Sequence, residues 1–194
     1  MPRVLFELLK RHFLRRRYSG AKDLRLHLGC GDEYWPGYVN VDTSSTVRCD
    51  LCMDFTRIGE VFEDRTVSEL VMIHSLSYLR LWQARDLFQT LNRLLAPGGH
   101  VVIELPDLLK CAHSVIEHEG SLTPYIEGVR GLYAFGVDEI EGRRMFTPYA
   151  FGWSGWHLRK ELEQVGFTDV TILEPRTHDH PWRDIRVEAQ KPRA

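Results

Sequence analysis

Apolar and polar positions alternate through Leu24-Arg25-Leu26-His27-Leu28 and stop at Gly29, which predicts a first β-strand over 24–28. Tyr38-Val39-Asn40-Val41-Asp42 predicts a second strand, and a short third one falls near Cys49 and Cys52. The unbroken run Leu70-Val71-Met72-Ile73 fits a central parallel strand, buried on both faces. From Trp82 to Leu95 the apolar residues Ala84, Leu87, Phe88, Leu91, Leu94 and Leu95 recur at helical spacing. Pro97-Gly98-Gly99 then stops that helix and turns the chain into a strand at Val101-Val102-Ile103. A second helix over 158–165 ends at Gly166, and Val170–Leu173 with Ile185–Ala189 predict a closing pair of strands. This alternation of strands and helices predicts an α/β fold.

Only residues 30–38 separate the first two strands, whereas a parallel crossover normally takes a dozen or more residues, usually with a helix. The helix is therefore expected to shrink to a turn around Tyr34-Trp35-Pro36, leaving one sheet face poorly covered. Near the amino terminus, Val4, Leu5, Phe6, Leu8, Leu9, Phe13 and Leu14 are interleaved with Arg3, Lys10, Arg11, Arg15, Arg16 and Arg17, a basic amphipathic helix over 3–17. Its apolar side is the expected cover for the bare face, and rest on an anionic membrane surface is the competing use. The domain division expected is this helix at 1–20 and one domain over 21–194.

Gly29-Cys30-Gly31 followed by Asp42 at the end of the second strand is the chief chemical signal. Glycines there allow a sharp turn and let a ligand lie against bare main chain, and a strand-end acid can accept hydrogen bonds from two ribose hydroxyls. A dinucleotide fingerprint would need a third glycine where Tyr34 stands and an acid some 20 residues further on. Asp32 and Glu33 put negative charge where a pyrophosphate would lie, and no Gly-Lys-Ser/Thr of a P-loop is present. A nucleoside without phosphates, such as S-adenosylmethionine, fits the motif better.

The chain resembles the class I S-adenosylmethionine-dependent methyltransferases, most of all the small methyltransferase-11-like enzymes associated with polysaccharide and glycan synthesis. The resemblance runs from about 24 to 192. It is carried by His27-Leu28-Gly29-Cys30-Gly31, Pro36-Gly37-Tyr38-Val39-Asn40-Val41-Asp42, Leu95-Ala96-Pro97-Gly98-Gly99-His100, Glu104-Leu105-Pro106-Asp107, Leu162-Glu163-Gln164-Val165-Gly166-Phe167 and Arg183–Ala189. It implies a Rossmann-like, mostly parallel seven-stranded sheet with helices on both faces, here with a shortened first crossover. It also implies that Gly29, Cys30 and Gly31, with His27 in the same motif, cradle the methionine part of S-adenosylmethionine and that Asp42 binds the ribose. Asp54 and Phe55 would flank the adenine, and His74 and Ser75 would close the pocket. Relatives commonly read His-x-x-Glu-His where this chain has His74-Ser75-Leu76-Ser77-Tyr78, so proton handling here is expected to differ.

At 194 residues and a net charge of −2, the chain suits a single domain with no general pull toward nucleic acid. Cys49-x-x-Cys52 lacks a second ligand pair for zinc, and four scattered cysteines make no disulfide framework, so a cytoplasmic setting is expected. Contact with the inner face of a membrane through 3–17 would be peripheral, since no apolar run reaches the ~20 residues of a span.

The stretch 107–154 is rich in aromatic residues and glycine and is expected to be the acceptor-binding insertion. Candidate catalytic groups leave the strand ends: His74, Asp107 and, just beyond, His113. Against these stand a cofactor-wall role for His74, capping of the following helix for Asp107, and plain helix surface for His113. His178-Asp179-His180, with Asp184 near, has metal-ligand residue types, but the following Pro181 favours a loop, and no metal is expected. The function expected is O-methylation of a sugar hydroxyl in a glycan or glycolipid precursor. The alternatives are a small-metabolite methyltransferase (aromatic or natural-product acceptor) and a non-catalytic scaffold. The partners expected are a saccharide or small-molecule acceptor, with homodimerisation as an option.

Overall fold

A computed structural model describes residues 12–134, 148–178 and 180–193. Its centre is a seven-stranded sheet in the order β3-β2-β1-β4-β5-β7-β6. The strands are β1 (Leu24–Leu28), β2 (Val39–Asp42), β3 (Leu51–Cys52), β4 (Val67–Ile73), β5 (Leu95–Pro106), β6 (Thr168–Leu173) and β7 (Asp184–Gln190). β1 to β5 pair in parallel, and β7 is antiparallel to both β5 and β6. Helices are α1 (12–17), α2 (Leu81–Leu94), α3 (Leu108–Glu117), α4 (Leu122–Tyr133) and α5 (Gly155–Gln164). Among the described residues no helix is long and apolar enough to cross a membrane.

The pleat sorts the side chains. Leu26, Leu28, Leu70, Met72, Val101, Ile103, Ile185 and Val187 point to one face, where Leu87, Phe88 and Leu91 of α2 and Leu158 and Leu162 of α5 complete a buried core. α2 runs directly into β5: Leu95 has an extended backbone, so Pro97-Gly98-Gly99 lies inside the strand instead of forming the separate turn expected of it.

On the opposite face the buried apolar cluster among the described residues is Val71, Ile73 and Val102, packed by Trp35 and Tyr38 from the shortened first crossover. Charged side chains complete its cover. The Tyr38 hydroxyl donates to Glu69 at 2.7 Å, the Arg25 guanidinium lies 4.6 Å from the Tyr38 ring centre, and Arg186 joins Glu104 at 2.7 Å. The helix proposed to shield this face does not do so where it is described. Leu14 and Tyr18 pack against the main core instead, with the Tyr18 ring 4.9 Å from Phe62. Residues 1–11, which hold most of the predicted amphipathic pattern, lie outside the described residues, as do 135–147 of the insertion.

Candidate functional site

All five parallel strands end on one side of the sheet, the place where open α/β sheets take their ligands. There the chain leaves β1 through Gly29, Cys30 and Gly31. Gly29 and Gly31 both have positive φ, 72° and 52°, which an L side chain rarely adopts. The Gly29 and Cys30 amides donate to the Val41 carbonyl, and the Gly31 amide donates to Asp42 Oδ2 at 2.9 Å. The two glycines differ in what surrounds them. A Cβ on Gly29 would fall 2.4 Å from that of Ser75, whereas one on Gly31 would meet nothing within 4 Å. Gly29 is therefore fixed by packing, and Gly31 by open space.

That space belongs to a cavity of about 1200 Å³. His27, Gly29, Cys30, Gly31, Asp42, Asp54, Phe55, His74 and Ser75, the residues expected to hold the cofactor, all line it. Asp42 anchors the loop as well as lining the cavity, because its Oδ1 accepts the Ser44 amide at 2.8 Å while Oδ2 holds Gly31. Each carboxylate oxygen keeps a further lone pair. Asp54 caps the 3-10 turn Phe55–Glu60 by accepting from the Thr56 amide at 2.9 Å. His27 is 1% exposed, and burial pushes its pKa down, so the ring is neutral. Asn40 Oδ1, already an acceptor for the Trp35 amide, also accepts a hydrogen bond from His27 Nδ1 at 3.3 Å. The buried Nε2 is left with a lone pair and no hydrogen-bond partner among the described residues.

A second group gathers around His74, on the lining of the same cavity. His74 follows β4 with φ 53°, a left-handed conformation strained for a histidine, held by its amide on the Glu104 carbonyl at 2.8 Å. β7 runs antiparallel, so its first residue, Asp184, lies opposite Pro106 at the carboxyl edge of the parallel strands. His74 Nε2 stands 3.0 Å from Asp184 Oδ2, yet the ring N–H does not align on the carboxylate, and Nε2 makes no hydrogen bond. Asp184 is fully buried. Burial alone would raise its pKa, but His74 and the Arg183 guanidinium (Nε to Oδ1, 2.7 Å) hold it down at about 2. The His178 ring packs edge-on against His74, centres 4.7 Å apart, and its Nε2 is 2.9 Å from Glu33 Oε1. Tyr78 and Tyr149, in ring contact at 5.0 Å, line the same cavity.

The other candidates fall elsewhere. Asp107 is 6% exposed and spends both oxygens on backbone: Oδ1 accepts from Leu109 and Lys110 and Oδ2 from Gly155, each at 2.9 Å. It caps α3 and ties it to α5, so the capping use prevails over proton transfer. His113 is an exposed residue of α3, paired with Glu117 at 2.9 Å beside a separate groove between α3 and α4. It lines that groove and not the cavity at the strand ends. Cys49 and Cys52 form no disulfide. Glu104, unassigned from sequence, accepts the Arg176 and Thr177 amides at 2.9 and 3.0 Å and so fixes the loop that carries His178. His178 and Asp184 were weighed from sequence as metal-ligand types and set aside because Pro181 favours a loop, whereas the structure brings both to His74. Glu33, Arg183 and Tyr149 were not foreseen beside them.

No protein-family model matches the sequence, and no curated protein matches it. Solved structures do match the fold. A SAM-dependent methyltransferase from Archaeoglobus fulgidus aligns with a TM-score of 0.58 at 16% identity, covering 98% of this chain and 100% of that one. A SAM-dependent methyltransferase from Methanosarcina mazei gives 0.59 at 16%, covering 92% and 97%. Phosphoethanolamine N-methyltransferase 2 of Haemonchus contortus, in complex with phosphomonomethylethanolamine and S-adenosylhomocysteine, gives 0.54 at 13%, covering 95% of this chain and 52% of that one. The fold is therefore that of the Rossmann-like, class I SAM-dependent methyltransferases.

Proposed function

We propose that this protein is a SAM-dependent methyltransferase that methylates a hydroxyl of a sugar in a glycan or glycolipid precursor. The observation that carries the cofactor reading is the elbow itself. Gly31 keeps open a space that a Cβ would occupy, beside a buried His27 Nε2 with an unused lone pair. The open main chain at Gly31 and that lone pair suit the amino-acid end of S-adenosylmethionine, the lone pair facing its ammonium; the spare lone pairs of Asp42 suit ribose hydroxyls, and Asp54 with Phe55 suits the adenine. Bound there, the cofactor supplies an electrophilic methyl on a sulfonium.

The chain's own work is to align the acceptor, exclude water and draw off the hydroxyl proton. Gly29 and Gly31 are held by Val41 and Asp42, so the loop needs no reorganisation on binding. Proton removal falls to the corner of His74, Asp184 and His178, where the buried carboxylate stays ionised. The Tyr78 and Tyr149 rings offer flat faces suited to the apolar side of a sugar ring. A cytoplasmic place near a membrane surface belongs to the same reading, with exposed Phe13, Arg15, Arg16 and Arg17 as its support. The test is release of S-adenosylhomocysteine with saccharide acceptors against amine acceptors. Turnover on a hydroxyl is expected, and turnover on amines alone would reject the reading.

A further inference from the structure

We propose that the corner of His74, His178 and Asp184 is a binding site for one first-row divalent metal ion of zinc-like preference, with its open positions toward the acceptor end of the cavity. The inference rests on the methyltransferase reading only for the use made of the ion, not for its binding. One ligand atom from each of the three residues lies within 4.8 Å of the other two, and His74 Nε2 and Asp184 Oδ2 are 3.0 Å apart. Ligands about 2.1 Å from a common ion stand roughly 3.0 to 3.4 Å apart, so His74 and Asp184 are already at that spacing and the wider separations, up to 4.8 Å, must close by about 1.5 Å.

Three details favour an ion over a plain hydrogen-bonded cluster. His74 Nε2 sits 3.0 Å from the carboxylate oxygen but misses hydrogen-bond geometry with it, so both atoms stand at the spacing of two ligands of one ion. Ionised Glu33 can only accept, so His178 Nε2 donates to it, and the buried Nδ1 is left with a lone pair and no partner. A carboxylate behind one imidazole nitrogen, with the other nitrogen free, is the usual support of a metal-bound histidine. Finally, Arg183 Nε holds Asp184 Oδ1 at 2.7 Å and fixes the carboxylate in the same supporting way. Arg183 Nη2 also touches Oδ2, at 3.1 Å, and its charge reduces the pull on hard ions such as Mg²⁺. Two neutral imidazoles and one carboxylate suit zinc-like ions instead.

On binding, His74 gives up its Nε2 proton to Nδ1 or to solvent. A hydroxyl placed on an open position would coordinate through oxygen and lose its proton to water more readily. Its oxygen would then form the O–CH₃ bond as the sulfur–methyl bond breaks.

The test uses the full chain, stripped with a chelator and titrated with Zn²⁺ against a chromophoric competitor, and with Co²⁺ by absorption. The wild type is expected to take up one ion per chain. His178→Ala should abolish that competition, and Glu33→Ala, on an exposed side chain, should weaken it by about ten- to hundredfold. Wild-type uptake unchanged in His178→Ala, or a thiolate-to-cobalt band that puts the ion on cysteines, overturns the proposal, as does no uptake at all. S-Adenosylmethionine affinity measured on the same sample separates the two readings. Cofactor binding without the ion sinks only the metal site, and ion binding without the cofactor sinks only the methyltransferase.

Discussion

Substituting each glycine of the elbow with alanine separates packing from ligand space. In Gly29→Ala the new Cβ lies 2.4 Å from Ser75 Cβ and 3.3 Å from Phe55 Cε1. Ser75 has little freedom to move away, because its hydroxyl donates to the Leu28 carbonyl at 2.7 Å and its side chain is buried. The left-handed backbone costs about 1–2 kcal/mol. Overpacking adds about 1–3 kcal/mol, for roughly 2–5 kcal/mol in all. At about 2–4 °C per kcal/mol for a chain of this size, the melting temperature should fall by roughly 4–20 °C. Gly31→Ala carries the same backbone cost but meets no atom within 4 Å, so its melting temperature should fall by only about 2–8 °C. Its methyl enters the cavity, where a clash of about 1–3 kcal/mol with the bound cofactor corresponds to roughly 5- to 150-fold weaker affinity. The assays are thermal unfolding without ligand and calorimetry with S-adenosylmethionine. Unchanged affinity in Gly31→Ala would refute the placement of the cofactor, and equal destabilisation by the two variants would refute the packing distinction.

Asp107→Ala should cost about 2–4 kcal/mol, from the lost α3 cap and the stranded Gly155 amide, as read by denaturant unfolding. Turnover should survive in the folded fraction, and a loss of a thousandfold or more there would restore Asp107 to the chemistry. Glu104→Gln should cost roughly 1–3 kcal/mol at neutral pH, because it weakens a charge-assisted bond while Glu188 keeps Arg186 paired. Burial raises the Glu104 pKa, but Arg186 and the Arg176 and Thr177 amides outweigh it and set the folded value below the ordinary 4.5. Its contribution is thus complete above about pH 4.5 and lost as the pH falls through the folded pKa, so wild type and variant should converge on acidification. A stability gap that stays constant down to acid unfolding would contradict the ionised Glu104–Arg186 pair.

The glycine elbow with its strand-end acid was legible because it is local. Residues 27–31 and 39–42 are neighbours in sequence as well as across the β1–β2 ladder, and the strand pattern dictates where the elbow falls. The short crossover was legible for the same reason: residues 29–38 cannot hold a helix and still reach the parallel register Leu26↔Val39. The cover of the opposite face was not. It depends on Trp35 and Tyr38 folding back over Val71 and Val102, with charged pairs between distant strands. The α3–α4 hairpin within 107–154 was obscured because glycine and aromatic content argues against helix locally, and packing of the two helices overrides that preference.

By itself, then, the sequence determined the α/β alternation, the elbow at Gly29–Gly31 and the acid at Asp42, since periodicity and glycine placement act over a few residues. Tertiary structure alone decided what gathers around His74. Antiparallel β7 carries Asp184 to the carboxyl ends of strands running the other way, and the loop held by Glu104 sets His178 against Glu33, 145 positions away along the chain. Side chains so far apart acquire a shared chemistry only when the sheet order fixes their distance, and no local pattern encodes that order.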